Sequence, residues 1–245
     1  MKSHGTQYIK NLRIQPVSDL FRGRPVISGN ISEEDIKEVA AICPVVAIDK
    51  KSGSIDLGRC VFCKECSFML PEKIKFTNDY HIATNNPEAL IIHPGDDNPI
   101  RLDEAKIRGE IRKLFKSALK LREISAGGDN SCEMELAATG NVNFDFGRFG
   151  IEFVASPRHA DGIVITGPVT ENMTKPLEIT FDATPSPKII ILAGTDAISG
   201  GIFEGSPAIN RKFIKENHID LYVPGNPVHP LTFINGVLDL LGIKS

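Results

Sequence analysis

Apolar and polar positions change their rhythm twice along this chain, and the changes mark out three stretches. In the first, over 1–73, apolar runs are short. Arg24-Pro25-Val26-Ile27-Ser28 predicts a strand, and Val46-Ala47-Ile48 and Ser54-Ile55-Asp56-Leu57 flank Lys51-Ser52-Gly53 as a hairpin. Between them Ile36, Val39, Ala40 and Ile42 recur at helical spacing. Ser32 is the expected N-cap with Asp35 three residues on, Glu33 and Glu34 suit the positive helix start, and Pro44 ends the helix. Residues 1–23 show little periodicity and several basic side chains. They read as an extended arm, loosely ordered or laid on a partner.

The second stretch, 74–124, is a connector. It offers a strand over Ala89–His93, a turn at 94–98, and a helix from Asp103 to Leu119. Ile107, Ile111, Leu114, Phe115, Ala118 and Leu119 share one face of that helix, which is expected to dock on this chain or on another subunit. His93 reads as a packed or exposed histidine rather than a ligand.

The third stretch, 125–245, alternates differently. Gly162–Gly167, Lys188–Gly194 and Ile219–Gly225 are apolar runs ending in glycine, which suits parallel strands buried on both faces. Helical segments around 133–139, 171–179, 206–216 and 230–241 supply crossovers. The expected fold class is α/β: a flavodoxin-like, doubly wound parallel sheet preceded by a small α+β unit. In such sheets sites gather at the carboxyl ends of strands. Those ends are Ala126–Asp129, Thr166–Pro168, Gly194–Asp196 and Pro224–Asn226, and none carries GxxxxGK[ST] or GxGxxG, so nucleotide binding is not expected.

Composition narrows the class further. With 245 residues, 41% apolar side chains and a net charge of −3, there is no general case for nucleic acid or an anionic membrane. No apolar run is long enough to span a bilayer, and no signal-peptide core stands at the N-terminus. A cytoplasmic protein is expected, and any link to the cytoplasmic membrane would run through a partner.

The chemistry lies in the cysteines. Cys60, Cys63 and Cys66 are spaced C-x2-C-x2-C, and Cys43 precedes Pro44. Two-cluster bacterial ferredoxins use C-x2-C-x2-C-x3-C-P twice, each run lending its last cysteine to the other cluster. Cys43-Pro44 resembles the end of the first run, and Cys60, Cys63 and Cys66 the start of the second. The other ligands would fall at Glu33, Ile36, Val39 and Leu70, so all four losses belong to one cluster. The resemblance implies a ferredoxin-like unit with one 4Fe–4S cluster on Cys43, Cys60, Cys63 and Cys66, and one-electron transfer as its role. A structural zinc site is the rival, since it also uses C-x2-C pairs. Four of the five cysteines fall in this one site, which argues for a reducing compartment and against disulfides.

Residues 125–242 resemble the small-subunit family shared by energy-converting membrane-bound NiFe hydrogenases and the B-type (20 kDa) subunit of respiratory complex I. The stretches carrying the resemblance are Leu121-Arg122-Glu123, Arg148–Ile151, Ala155–Asp161, Thr166–Thr170, Gly200–Phe203 and Pro224-Gly225. The resemblance implies docking on a large hydrogenase-like or complex-I 49 kDa-like subunit. It also implies a proximal 4Fe–4S cluster, whose four cysteines fall here on Asp129, Cys132, Asp196 and Asn226. Three thiolates are missing, and a second cluster is not expected. Asp129, Asp196 and Asn226 read as polar filler around a vacated cavity, or with Cys132 as a mononuclear metal site. Cys132 otherwise reads as an inert buried thiol. Arg158 and His159 would lie near the large-subunit interface. The expected function is an iron–sulfur electron-transfer subunit of an oxidoreductase complex. The alternatives are a non-catalytic assembly, structural or redox-sensing paralogue, and a stand-alone metal-binding protein.

Overall fold

Runs of β-branched residues buried on both faces organise the larger part of the molecule. The structure is a computed structural model describing residues 7–116 and 118–243. Its main sheet comprises β5 (Leu119–Ser125), β6 (Ile151–Phe153), β7 (Gly162–Thr166), β8 (Ile189–Ala193) and β9 (Leu221–Val223) in the order β6-β5-β7-β8-β9, all parallel. Every residue of β7 and β8 is buried, as their unbroken apolar runs require. Counted within the sheet, the strand order is 2-1-3-4-5, the flavodoxin-like winding.

Alternate residues of these strands feed two cores. One face holds Leu121, Val164, Ile191 and Leu221 against α8 (Pro230–Leu241), with α3 (Gly109–Phe115) and α4 (Ser131–Ala138) beside it. The other holds Ile163, Ile165, Ile190 and Leu192 against α5 (Glu171–Ala183), α6 (Thr195–Ser199) and α7 (Lys212–Glu216). α8 is apolar nearly all round and is buried nearly all round, as a helix packed on every side must be.

The front unit is built from short pieces. β1 (Pro25–Ile27) pairs antiparallel with β3 (Ile74–Phe76), and β2 (Ile55–Asp56) with β4 (Ile91–Ile92). α1 (Glu33–Ile42) starts on the expected capping box: the Ser32 hydroxyl accepts from the Asp35 amide, and the Asp35 carboxylate accepts from the Ser32 amide. α2 (Glu65–Met69) follows the cysteine loop. The front core takes in Ile74, Ile82, Leu90, Ile92 and Ile100, so its packing runs well past residue 73. Front and rear are stitched together where Thr84 and Tyr222 exchange backbone hydrogen bonds of 3.0 and 2.7 Å.

Four local expectations are corrected or refined. The helix foreseen over 103–119 is split into a 3-10 turn at 104–106 and α3, and Leu119 opens β5, because its side chain is needed in the rear core. Leu114 and Ile42 face outward. The hairpin forms but is short: Ile48 and Ile55 pair antiparallel, the Asp49 amide donates to the Ser54 carbonyl at 3.0 Å and the Asp56 amide to the Ala47 carbonyl at 2.9 Å, while β2 takes β4 on its other edge. The arm lies on this chain itself. Leu12 is fully buried and its carbonyl accepts from Asn235 Nδ2 at 3.0 Å, while Arg13 bonds Asp239 at 2.6 Å on α8. The first six residues of the arm lie outside the described residues.

Candidate functional site

The front site forms where α1 ends. Cys43 is the C-cap residue, and the chain then turns sharply, with Val46 at φ 50°. A β-branched residue in that region is strained, and the strain aims the next amide inward. The Ala47 amide donates to Cys43 Sγ at 3.2 Å. The second arm of the site starts from an aspartate turn: Asp56 accepts from the Gly58 amide through its carboxylate and from the Cys60 amide through its carbonyl. The Phe62 amide then donates to Cys60 Sγ at 3.3 Å, with Phe62 and Lys64 both at positive φ. Arg22 of the arm clamps the loop by donating to the Phe62 carbonyl at 2.8 Å.

All four expected thiols line one cavity, walled by Val45, Ala47, Ile48, Ile55 and Phe76. Burial pushes the Cys66 thiol up to about 11 and Cys60 higher still, and the neighbouring thiols add to both shifts. To carry all four as thiolates, such an apolar cavity would need a strongly cationic group among them. Soft sulfur donors with amides directed at the sulfurs fit an iron–sulfur cluster. Of the positions expected for the lost front ligands, Val39 is buried in the front core with Leu70 packed against it.

The rear site lies at the carboxyl ends of β5, β8 and β9, as the winding requires. It brings Asp129, Cys132 and Asp196 into one neighbourhood: both carboxylates act on the Cys132 thiol, which burial above all raises to about 12. Gly194 sits at φ 95°, and a Cβ there would come within 2.5 Å of Cys132 Sγ. The Asp129 carboxylate is occupied by the Ser131 amide and hydroxyl at 2.9 and 2.6 Å. Asp196 is half-buried, its Oδ1 has no hydrogen-bond partner, and burial and then Asp129 raise its pKa. Asn226 is exposed. One soft donor among four residues does not fit an iron–sulfur cube. Among the described residues, no three His, Cys, Asp or Glu side chains are grouped to hold a single metal ion.

Several participants carried no signal in the sequence. Arg211 donates to the carbonyls of Pro168, Asp196, Ala197 and Ile198, bracing the turn after β8. Its long-range partners make it invisible to any local motif. Glu133 accepts from the Thr166 hydroxyl at 2.6 Å. Burial, and then Glu133, lift Glu123 to about 7. A glutamate raised in this way holds its proton more tightly folded than unfolded. The stability it contributes is complete below about pH 4.3 and is lost as pH rises through about 7. Glu123→Gln is therefore expected to flatten the fall in urea midpoint between about pH 5 and pH 7.5. An equal fall in variant and parent would count against the assignment. Arg158 and His159 are exposed on a short turn before β7, and His93 is exposed.

A 2-1-3-4-5 parallel sheet with polar loops at its carboxyl ends defines the class, a flavodoxin-like α/β protein with a cysteine-rich unit packed against those ends. The chain belongs to the "NADH ubiquinone oxidoreductase, 20 Kd subunit" family, whose family model matches residues 130–240. It is 36% identical over 115 residues to the probable membrane-bound hydrogenase subunit mbhJ of Pyrococcus furiosus, covering 47% of this chain and 69% of that one. It is 36% identical over 159 residues to formate hydrogenlyase subunit 7 of Escherichia coli, covering 62% of each. It is 38% identical over 109 residues to the B-type subunit of the NADH-quinone oxidoreductase of Geotalea daltonii, covering 44% of this chain and 64% of that one. The chain thus spans less than two thirds of the length of the last two relatives.

Proposed function

We propose that this chain is an electron-transfer subunit of a hydrogenase-like or NADH:quinone oxidoreductase-like complex, with a ferredoxin-like unit fused ahead of the family domain. The observation that carries this is the convergence of Cys43, Cys60, Cys63 and Cys66 on one apolar cavity with backbone amides directed at two of the sulfurs. These four would hold one 4Fe–4S cluster, which supplies one-electron transfer when bound. The protein's part is to shield that group: Cys60 and Cys66 are buried, while Cys43 and Cys63 lie nearer the surface. The rear domain serves as the docking body for a large hydrogenase-like or 49 kDa-like subunit. No described helix is long and apolar enough to cross a membrane, so attachment to a membrane complex would run through partner subunits.

A second reading has its own observation. With Asp129, Asp196 and Asn226 in place of thiolates, the rear domain lacks the relay that its family position implies. That favours a non-catalytic assembly or redox-sensing paralogue which keeps the partner surface.

Anaerobic purification with iron and sulfide analysis tests the front site. About four irons per chain is the expected result. About eight would overturn the loss of the rear cluster, and zinc in place of iron would overturn the front one. Co-purification with a large subunit whose metal-binding cysteines are intact would favour the electron carrier; a partner without them would favour the paralogue.

A further inference from the structure

Thr195 stands where the rear turn meets the front cysteine loop. It opens α6 beside Asp196 and is 1% exposed. Its hydroxyl lies 2.8 Å from the Cys60 carbonyl oxygen and 3.2 Å from that of Gly225. The Gly225 oxygen already accepts from the Thr195 amide at 2.9 Å. The Cys60 oxygen has no other donor among the described residues. The hydroxyl proton therefore belongs to Cys60. The close approach is built in on both sides. Gly58 has no side chain, and a Cβ there would come 2.9 Å from Ile198 Cγ2 of α6. Arg59 grips Glu204 through two bonds of 2.7 Å.

We propose that Thr195 is a positioning residue for the group held by Cys43, Cys60, Cys63 and Cys66. The turn at the rear site, lacking a thiolate of its own at Asp196, braces the neighbouring cysteine loop and sets its reduction potential. This rests on the proposed reading that those four thiols bind a 4Fe–4S cluster. The physical reason is local. A buried O–H dipole with its positive end at the Cys60 peptide draws electron density from that ligand residue. The positive end of that dipole, one layer behind the Cys60 sulfur, would favour the more negative, reduced state and raise the potential. Remove the donor, and a buried carbonyl faces nothing while the reduced state loses that support.

The test uses the full chain, purified anaerobically, with the midpoint potential followed by electron paramagnetic resonance. Thr195→Val keeps the shape and removes the donor. It is expected to retain the parent's iron and sulfide content and to show a more negative midpoint potential. Thr195→Ser keeps the hydroxyl and is expected to stay at the parent value. Thr195→Ala carries the same expectation as valine where the second methyl is not accommodated. A valine or alanine variant with full iron and an unchanged potential overturns the role of Thr195 and leaves the front site intact. A parent chain without iron and sulfide overturns the front site itself, and the role of Thr195 with it.

Discussion

Cys60→Ser is expected to take the chain from about four irons to fewer than about one, with loss of the broad visible absorption of an iron–sulfur protein. Cys60 is the most enclosed of the four candidate thiols: it is buried, its sulfur accepts from the Phe62 amide, and its carbonyl is held by Thr195. A serine oxygen there is a hard donor on a soft metal site. The loss should also be structural. Among the described residues β1 pairs with β3 over three residues, and β2 with β4 over two and with Ile48 through one bridge, so backbone pairing contributes little to the front unit. Metal binding free energy would then be a large share of its folding free energy. The front unit of the variant is expected to exchange amide protons rapidly while β7 and β8 stay protected, which hydrogen exchange read by mass spectrometry would show. Cys132→Ser is the paired control and is expected to leave iron unchanged. Iron lost from Cys132→Ser and kept in Cys60→Ser would move the cluster to the rear domain.

Phe233→Ala carries the largest expected cost in the rear domain. Phe233 is fully buried on α8, edge-on to Phe146 at 5.8 Å and stacked on Phe153 at 6.0 Å. Those contacts tie α8 to β6 and to the turn ahead of it. Truncation removes a whole ring from a closed core and leaves a void that its neighbours cannot fill. The cost is expected at about 3–5 kcal/mol, seen as a lower denaturant midpoint at unchanged slope. Phe68→Ala, on an exposed face of α2, should change stability by less than about 0.5 kcal/mol. A cost below about 1 kcal/mol for Phe233 would mean that α8 is not packed in the interior as described.

Much of this was legible in short-range pattern. The capping box at Ser32 and Asp35 is a contact between residues three apart, so the sequence carries both partners. The glycine-ended apolar runs announced β7 and β8 because burial on two faces leaves no polar positions. The spacing of Cys60, Cys63 and Cys66 matched a known ligand loop, and Cys43 joined it through the Cys-Pro signature. The family resemblance singled out Asp129, Cys132 and Asp196, which the fold does bring near one another, and Asn226, which is exposed. What local pattern could not carry was any contact between distant segments. The helix over 103–119 looked continuous because its apolar spacing continues into Leu119. The demand of the rear core for a strand there is set by residues far along the chain.

Amino-acid pattern alone was enough for the parallel α/β class and for the runs that became β7, β8 and β9, because periodicity is short-range, and ligand spacing singled out the four front thiols as candidates. Three-dimensional packing was needed to show that the arm lies on α8, that Arg211 braces the turn after β8, and that Thr195 joins the rear turn to Cys60. Each of those depends on hydrogen bonds across long sequence separations, where the partners of a buried donor are chosen by the shape of the folded chain.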